Sequence, residues 1–451
     1  MVTRTQLSRL GLFDAKVPRY TSYPTSPHFK NDVEPKDFAH WITEVPENSD
    51  ISLYMHVPFC RRLCWFCACR TQGTATGEPI TAYVETLKEE LALLKRYLPR
   101  GVRLSRLHWG GGTPTMMQPH HVRDLMEGVR DVADFAEGYE FSVEIDPNEI
   151  DAARLDALFE SGMNRASIGV QDFDPDIQKT IGREQSFETT KAAIDMIRDR
   201  GIQSLNADIL FGLPDQTRSR IVDSVQKLLS LSPDRVALYG YAHVPWMAKR
   251  QQMIPSDALP RPDERLSLFE AARKLFVWDG YQEIGIDHFA TKEDGLSVAA
   301  RNGTLRRNFQ GYTDDTSEVL VGLGASSISK FPQGFAQNAP ATGAYTKAIR
   351  GGEFSTVRGH AFTDDDKLRS RMIEMLMCDF RVSVDDLVSD YATTKSNVMA
   401  LLHRANADFD GLLTVDESGL YVPPDARPLA RMIARSFDAY ELSSAGHSSA
   451  I

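Results

Sequence analysis

The sequence is poor in cysteine, holds no long apolar run and carries no basic excess, and each absence removes a class of protein. It has five cysteines in 451 residues, four of them between positions 60 and 69. A secreted disulfide scaffold spreads its cysteines in pairs through a short chain. No stretch nears the roughly 18 apolar residues needed to span a bilayer. The opening MVTRTQLSRLGLFDAKVPRY lacks the apolar core of a secretion signal. A cytoplasmic protein with no membrane partner is expected. Lys and Arg number 51 against 62 Asp and Glu, a net charge of −11. That balance excludes a general affinity for nucleic acid, which takes a basic footprint. Low-complexity tracts are absent too, so no part reads as a compositional linker.

What remains is a globular chain, 42% apolar and 25% charged, long enough to bury a sizeable core without staples. Residues 1–50 are irregular. VPRYTSYPTSPHF is punctuated by Pro, Ser and Thr, and reads as an arm or loop. From residue 51, short apolar runs at 51–57, 104–109, 139–145, 164–170, 204–213 and 235–241 alternate with amphipathic stretches near 80–97, 119–132, 151–161, 184–200 and 217–230. Strand–helix alternation predicts parallel strands with right-handed crossovers. Six such units predict an α/β fold, a partial (β/α)6 TIM-like barrel, with its chemistry at the C-terminal ends of the strands. After residue 245 the alternation weakens. One helix is expected from Asp263 to about Asp279. Short helical signals from 361 to 451, with a β-ribbon near 411–423, predict a small, mainly helical domain of winged-helix type.

Two motifs carry chemistry. CRRLCWFCAC spaces Cys60, Cys64 and Cys67 as C-x3-C-x2-C, with Cys69 two residues on. Iron–sulfur clusters are held by thiolates, and a closed four-iron cluster takes four. Three on one loop leave one iron open to bind a second molecule. The competing reading is a structural zinc site closed by Cys69 or His56. WGGGTPT (109–115) follows a strand, and its glycines let a ligand approach the backbone closely. Alone, it is equally a tight strand–helix turn, and it lacks the dinucleotide-binding spacing. Taken singly, Glu144 and Asp208 read as solvated strand-end carboxylates, and Arg183 as a surface charge at a helix start.

Together, C-x3-C-x2-C and GGGTPT resemble the radical S-adenosylmethionine (SAM) superfamily. PRYTSYPT (18–25), YMHVPFC (54–60), Cys69, IGVQDF (168–173), DILFGLP (208–214), DHFA (287–290) and RNFQGYT (307–313) narrow the resemblance to the oxygen-independent coproporphyrinogen III oxidase family. The resemblance implies a 4Fe-4S cluster on Cys60, Cys64 and Cys67, and two molecules of SAM. Tyr54, Gly111, Glu144 and Ile328 match contacts to the first molecule. Phe66, Gly112, Thr113, Gln171, Arg183, Asp208 and Ala242 match contacts around the second. Tyr54 and Cys69 match catalytic positions, with Cys69 not a cluster ligand. The implied reaction uses a 5′-deoxyadenosyl radical to take a hydrogen from a ring propionate of coproporphyrinogen III. Loss of CO2 and one electron leaves a vinyl group. Two propionates react, giving protoporphyrinogen IX for haem and porphyrin synthesis without oxygen.

The family's layout implies an arm over 1–50 covering the site, the radical SAM barrel over 51–300, a segment over 301–360 completing the site, and the helical domain over 361–451. The expected partners are the substrate, an electron donor and an electron acceptor, on a monomer. A haem chaperone is the binding-protein alternative, and a haem-degrading radical SAM methyltransferase the enzymatic one. The chaperones usually carry an aromatic residue in place of Cys69 and lack the PRYTSYPT arm. The arm holds few periodic apolar residues, so its removal is expected to cost little stability.

Overall fold

A computed structural model of the chain describes residues 3–441 and 449–451. Its six barrel strands lie where the apolar runs predict: β1 (Asp50–Val57), β2 (Arg103–Gly111), β3 (Asp134–Ile145), β4 (Arg165–Gln171), β5 (Ser204–Phe211) and β6 (Arg235–Gly240). They pair in parallel in chain order. Helices cover them on the outside, so β1 is buried on both faces and reads DISLYMHV without strict alternation. The crossover helices begin at polar N-caps. The side chains of Asp151, Ser186 and Thr217 accept from backbone N–H groups of the first turn.

A seventh parallel strand comes from late in the chain. Leu320–Leu323 pairs with β1 on the side away from β2, and an antiparallel ribbon extends the sheet beyond it. On the opposite edge His288–Ala290 runs antiparallel to β6. The result is one 12-stranded sheet. LVGL is only four residues long, too short to stand out as a strand by periodicity.

The arm is more ordered than its composition predicts. It holds two α-helices, Arg4–Arg9 and Pro35–Thr43. Leu7, Leu12, Val17, Tyr20 and Tyr23 are buried in a second core that they share with the C-terminal helices. The expectation that the arm contributes little to stability is therefore overturned. Its apolar residues lack a helical period because each inserts separately into a partner surface made by residues 368–437. That surface is α-helical, with a three-stranded sheet formed by Arg381–Ser383, Thr414–Asp416 and Gly419–Tyr421. No helix among the described residues is long and apolar enough to cross a membrane.

Candidate active site

Beyond β1 the chain enters a two-residue strand, Phe59–Cys60, paired in parallel with Gln72–Gly73. The loop between them carries Cys64, Cys67 and Cys69. It is pinned from three directions. The Thr113 N–H donates to Phe59 O (2.7 Å), the Trp65 N–H to Ile181 O (2.9 Å), and Arg250 Nη2 to Cys69 O (3.0 Å). Cys60, Cys64 and Cys67 are half-buried and Cys69 is exposed. Burial pushes the Cys60 thiol up to about 11, opposed by hydrogen bonds from Thr113 and Thr71. Burial raises Cys64 too, opposed by Arg183, whose Nη1 lies 3.6 Å from the sulfur. Cys67 falls to about 6, because the Cys69 thiol and the Cys69 N–H (3.4 Å) both donate to its sulfur and outweigh burial.

Among the described residues no three His, Cys, Asp or Glu side chains are grouped to hold a metal ion. A zinc ion needs its sulfurs about 2.3 Å from one point. A cluster spreads its thiolates over separate irons. Three thiols on one loop, with hydroxyl, amide and guanidinium donors aimed at sulfur, fit the cluster.

The glycine turn lies against this loop because nothing larger fits. A Cβ on Gly111, whose φ is +110°, would stand 2.4 Å from the His56 ring, and one on Gly112 2.5 Å from Phe59 O. The turn leaves the Gly111 N–H free to donate to Glu144 Oε2 at 2.9 Å. His108 Nε2 approaches Oε1 at 3.4 Å. Burial works to raise Glu144, but His108 and the amide hold it below the ordinary glutamate range. Tyr54 stacks on His108 at 5.7 Å. Its hydroxyl meets His56 Nδ1 at 2.9 Å, while His56 Nε2 meets Arg70 O at 3.1 Å. With Nε2–H donating to that carbonyl, Nδ1 is left to accept from Tyr54. Tyr54 pairs in register with Gly322, which packs on the Ile328 backbone. The structure thus brings Tyr54, Gly111 and Glu144 together, with Ile328 two strands out from Tyr54, beyond Leu320–Leu323.

Of the remaining candidates, Gly112 and Thr113 belong to the glycine turn and Phe66 to the cysteine loop, while Gln171, Arg183, Asp208 and Ala242 line the flank formed by β4–β6. Gln171 has φ 69° at a bulge in the β4–β5 pairing, which aims its side chain at the Gly169 backbone. Arg183 is not a surface charge: its side chain is 12% exposed, and it bonds Gly169 O (2.9 Å), Gln185 (3.0 Å) and Asp146 (3.3 Å). Asp208 accepts from Asn206 at 2.9 Å, and burial pushes it up to about 6. Gln251 donates to both Phe66 O (2.7 Å) and Ala242 O (3.0 Å), tying the cysteine loop to the end of β6. Gln251, His108, Asp146 and Arg250 were not singled out from the sequence, and His56 was weighed only as a zinc ligand. His56 and His108 lie two residues from Tyr54 and Gly110, so strand alternation could have placed them beside those positions. Gln251 and Arg250 sit in an irregular segment with no periodic signal.

Residues 54–228 match the radical SAM superfamily. Over 451 residues the chain is 65% identical to an oxygen-independent coproporphyrinogen III oxidase of Paracoccus denitrificans, covering 100% of both chains. It is 37% identical over 441 residues to a protein of that name from Escherichia coli, covering 96% of this chain and 95% of the other. A solved structure of coproporphyrinogen III oxidase from Escherichia coli, described as a radical SAM enzyme, matches with a TM-score of 0.89 at 35% identity. It covers 95% of this chain and 100% of that one.

Proposed function

The chain belongs to the radical SAM superfamily and, within it, to the oxygen-independent coproporphyrinogen III oxidases, and on that premise we propose how its residues divide the work. It is an oxidoreductase of porphyrin synthesis that converts two propionates of coproporphyrinogen III to vinyl groups by oxidative decarboxylation. The family works with a 4Fe-4S cluster and SAM. When bound, these supply a one-electron cleavage that yields a carbon radical able to take hydrogen from a propionate side chain.

Cys60, Cys64 and Cys67 would hold the cluster. Glu144 is kept ionised by the Gly111 amide and His108, so it can accept from an ammonium or from ribose hydroxyls. The Tyr54 hydroxyl is oriented by His56. A second SAM would meet Phe66, Gly112, Thr113, Gln171, Arg183, Asp208 and Ala242. Arg183 and Asp208 lie on the β4–β6 side of the mouth and adjoin Glu144, whose charge reaches Asp208, so a second molecule there would lie beside the first. Cys69 would support the cluster without ligating it, since its N–H donates to the Cys67 sulfur at 3.4 Å. The arm acts as a cover: Arg19 Nη2 donates to Gly240 O at the end of β6, and a covered mouth excludes water from a reactive radical. The domain limits at 50, 300 and 360, a cytoplasmic monomer, and a separate electron donor and acceptor belong to the same proposal.

The observation that carries this assignment is the three-thiol loop closed onto the glycine turn, with Glu144 on the Gly111 amide. Anaerobic incubation of cluster-loaded protein with SAM, a reductant, an electron acceptor and coproporphyrinogen III tests it. Protoporphyrinogen IX is the expected product; no conversion of coproporphyrinogen III, with a methylated or ring-opened product when haem is supplied in its place, would redirect the assignment to the methyltransferase.

A further inference from the structure

A cavity of ≈ 400 Å³ lies beside β6, between the barrel, the arm and the C-terminal helices. Gly240 and Tyr241, at the end of β6, form part of its wall, so it abuts the barrel mouth. Its volume falls in the range of small-molecule sites. Among the described residues six arginines and four carboxylates line it. Two of the carboxylates, Glu270 and Glu283, are already paired with Arg273. Phe211, Phe269 and Ile286 supply apolar wall.

Main-chain oxygens hold two of the arginines at the mouth end. Arg265 donates to the carbonyls of Gly212 (3.3 Å) and Tyr241 (2.9 Å) and to the main-chain oxygen of Ile451 (2.9 Å). Arg19 donates to Gly240 O at 2.6 Å. The Arg307 side chain is 4% exposed and lies over the Tyr312 ring at 4.4 Å. Its nearest carboxylate, Asp287, is 3.8 Å away and bonds His288 at 2.7 Å instead. Arg307 Nε and Nη1 are buried without a hydrogen-bond partner. A desolvated guanidinium with unused N–H groups is costly unless an anion completes it. Burial first, and the neighbouring Arg19 second, push Arg265 down to about 10 and Arg431 to about 9. An incoming carboxylate would offset that repulsion.

We infer that this cavity is the subsite for substrate propionates other than the one reacting, with Arg19, Arg265 and Arg307 as carboxylate anchors and the aromatic wall against the pyrrole rings. The inference rests on the coproporphyrinogen assignment and adds to it the residues that read the substrate's charge. The guanidinium fork binds carboxylates in two-point geometry. Tyr239, whose hydroxyl is 3.4 Å from His288 Nε2, stands on β6 opposite Leu210 of β5, two residues beyond Asp208, whose charge reaches it. One pyrrole ring can therefore present its propionate to the cofactor flank while others reach the arginines.

The test is fluorescence titration of the full, cluster-loaded chain with coproporphyrin III, the air-stable tetracarboxylate, and with its tetramethyl ester. The acid should bind at least about tenfold more tightly than the ester. Arg265→Gln and Arg307→Lys should each weaken the acid about tenfold and leave the ester unchanged. Iron content should stay at the unaltered protein's value; Arg265→Gln, which gives up main-chain hydrogen bonds, should melt lower yet remain folded and still bind the ester. Equal affinity for acid and ester in the unaltered protein overturns the subsite without needing a variant, as does unchanged acid affinity in both folded variants. If the unaltered protein also fails to turn over coproporphyrinogen III, the substrate assignment falls as well. If it turns the substrate over, only the subsite falls.

Discussion

Four cysteines within residues 60–69 build the cluster loop, whereas the arginine cavity beside β6 draws Arg19, Arg265, Arg307 and Arg431 from four distant segments. The first carries its ligands on one short loop, although Thr113, Ile181 and Arg250 pin that loop from elsewhere in the barrel. The second exists only while the arm, the barrel edge and the C-terminal helices are docked. Radical generation and substrate reading therefore rest on different parts of the fold. Damage to one should leave the other measurable.

The largest expected effect lies on the local side. Cys60→Ala, Cys64→Ala or Cys67→Ala should each abolish bound iron and product formation, because thiolates set cluster assembly. Cys69→Ala should retain iron at least in part. Iron and sulfide analysis of anaerobically reconstituted protein checks both. Complete iron loss in the Cys69 variant with retention in the Cys67 variant would reverse the ligand assignment.

Removing residues 1–30 attacks the other side. Iron content should be unchanged and conversion of coproporphyrinogen III lost, with uncoupled cleavage of SAM as the accompanying signal. Stability should fall as well. Leu7, Leu12, Val17, Tyr20 and Tyr23 are buried against the C-terminal helices, and each large apolar side chain contributes about 1.5–3 kcal/mol when fully buried. A truncated protein that forms protoporphyrinogen IX at the full-length rate ends the idea of a cover.

Asp208→Ala tests whether the two flanks of the mouth act separately. Asp208 and Arg183 belong to the β4–β6 flank, so the variant should assemble iron normally. Vinyl formation should drop about a hundredfold if the group positions a reactant. SAM cleavage without substrate should fall less. A normal rate of vinyl formation would remove Asp208 from the site.

The same contrast explains what the sequence discloses. Strands β1–β6 were legible because parallel strands buried on both faces read as apolar runs between amphipathic helices. The cysteines and glycines were legible because their spacing is local chemistry. Glu144, Asp208 and Arg183 became candidates only through family resemblance; their own sequence surroundings favoured surface charges. Arg183 is in fact buried between Asp146 and Cys64. The strand Leu320–Leu323 was missed because its partner, β1, lies some 270 residues earlier. The arm's role in the second core was missed because Leu7, Leu12 and Val17 follow no helical or strand period. No local rule connects Arg19 with Arg265 and Arg307.

The smallest predicted effect isolates the docking of the arm from its presence. The Tyr23 hydroxyl accepts from the Ala439 N–H at 3.0 Å, and its ring packs edge-on against Tyr440 at 5.7 Å. Tyr23→Phe keeps the ring and its burial and removes only the acceptor. An amide left without a partner costs about 1–2 kcal/mol. The loss should appear as a melting temperature lowered by a few degrees, since this chain is long and each kcal/mol moves the midpoint by about 2–4 °C. Iron content should not change, because no contact of Tyr23 reaches the cysteine loop. Substrate affinity should weaken modestly, because Arg19 sits four residues before Tyr23 and is held in place by the same segment. A Tyr23→Phe protein that loses iron in proportion to its stability would mean that the loop and the arm are one cooperative unit, and the division between radical generation and substrate reading would have to be given up.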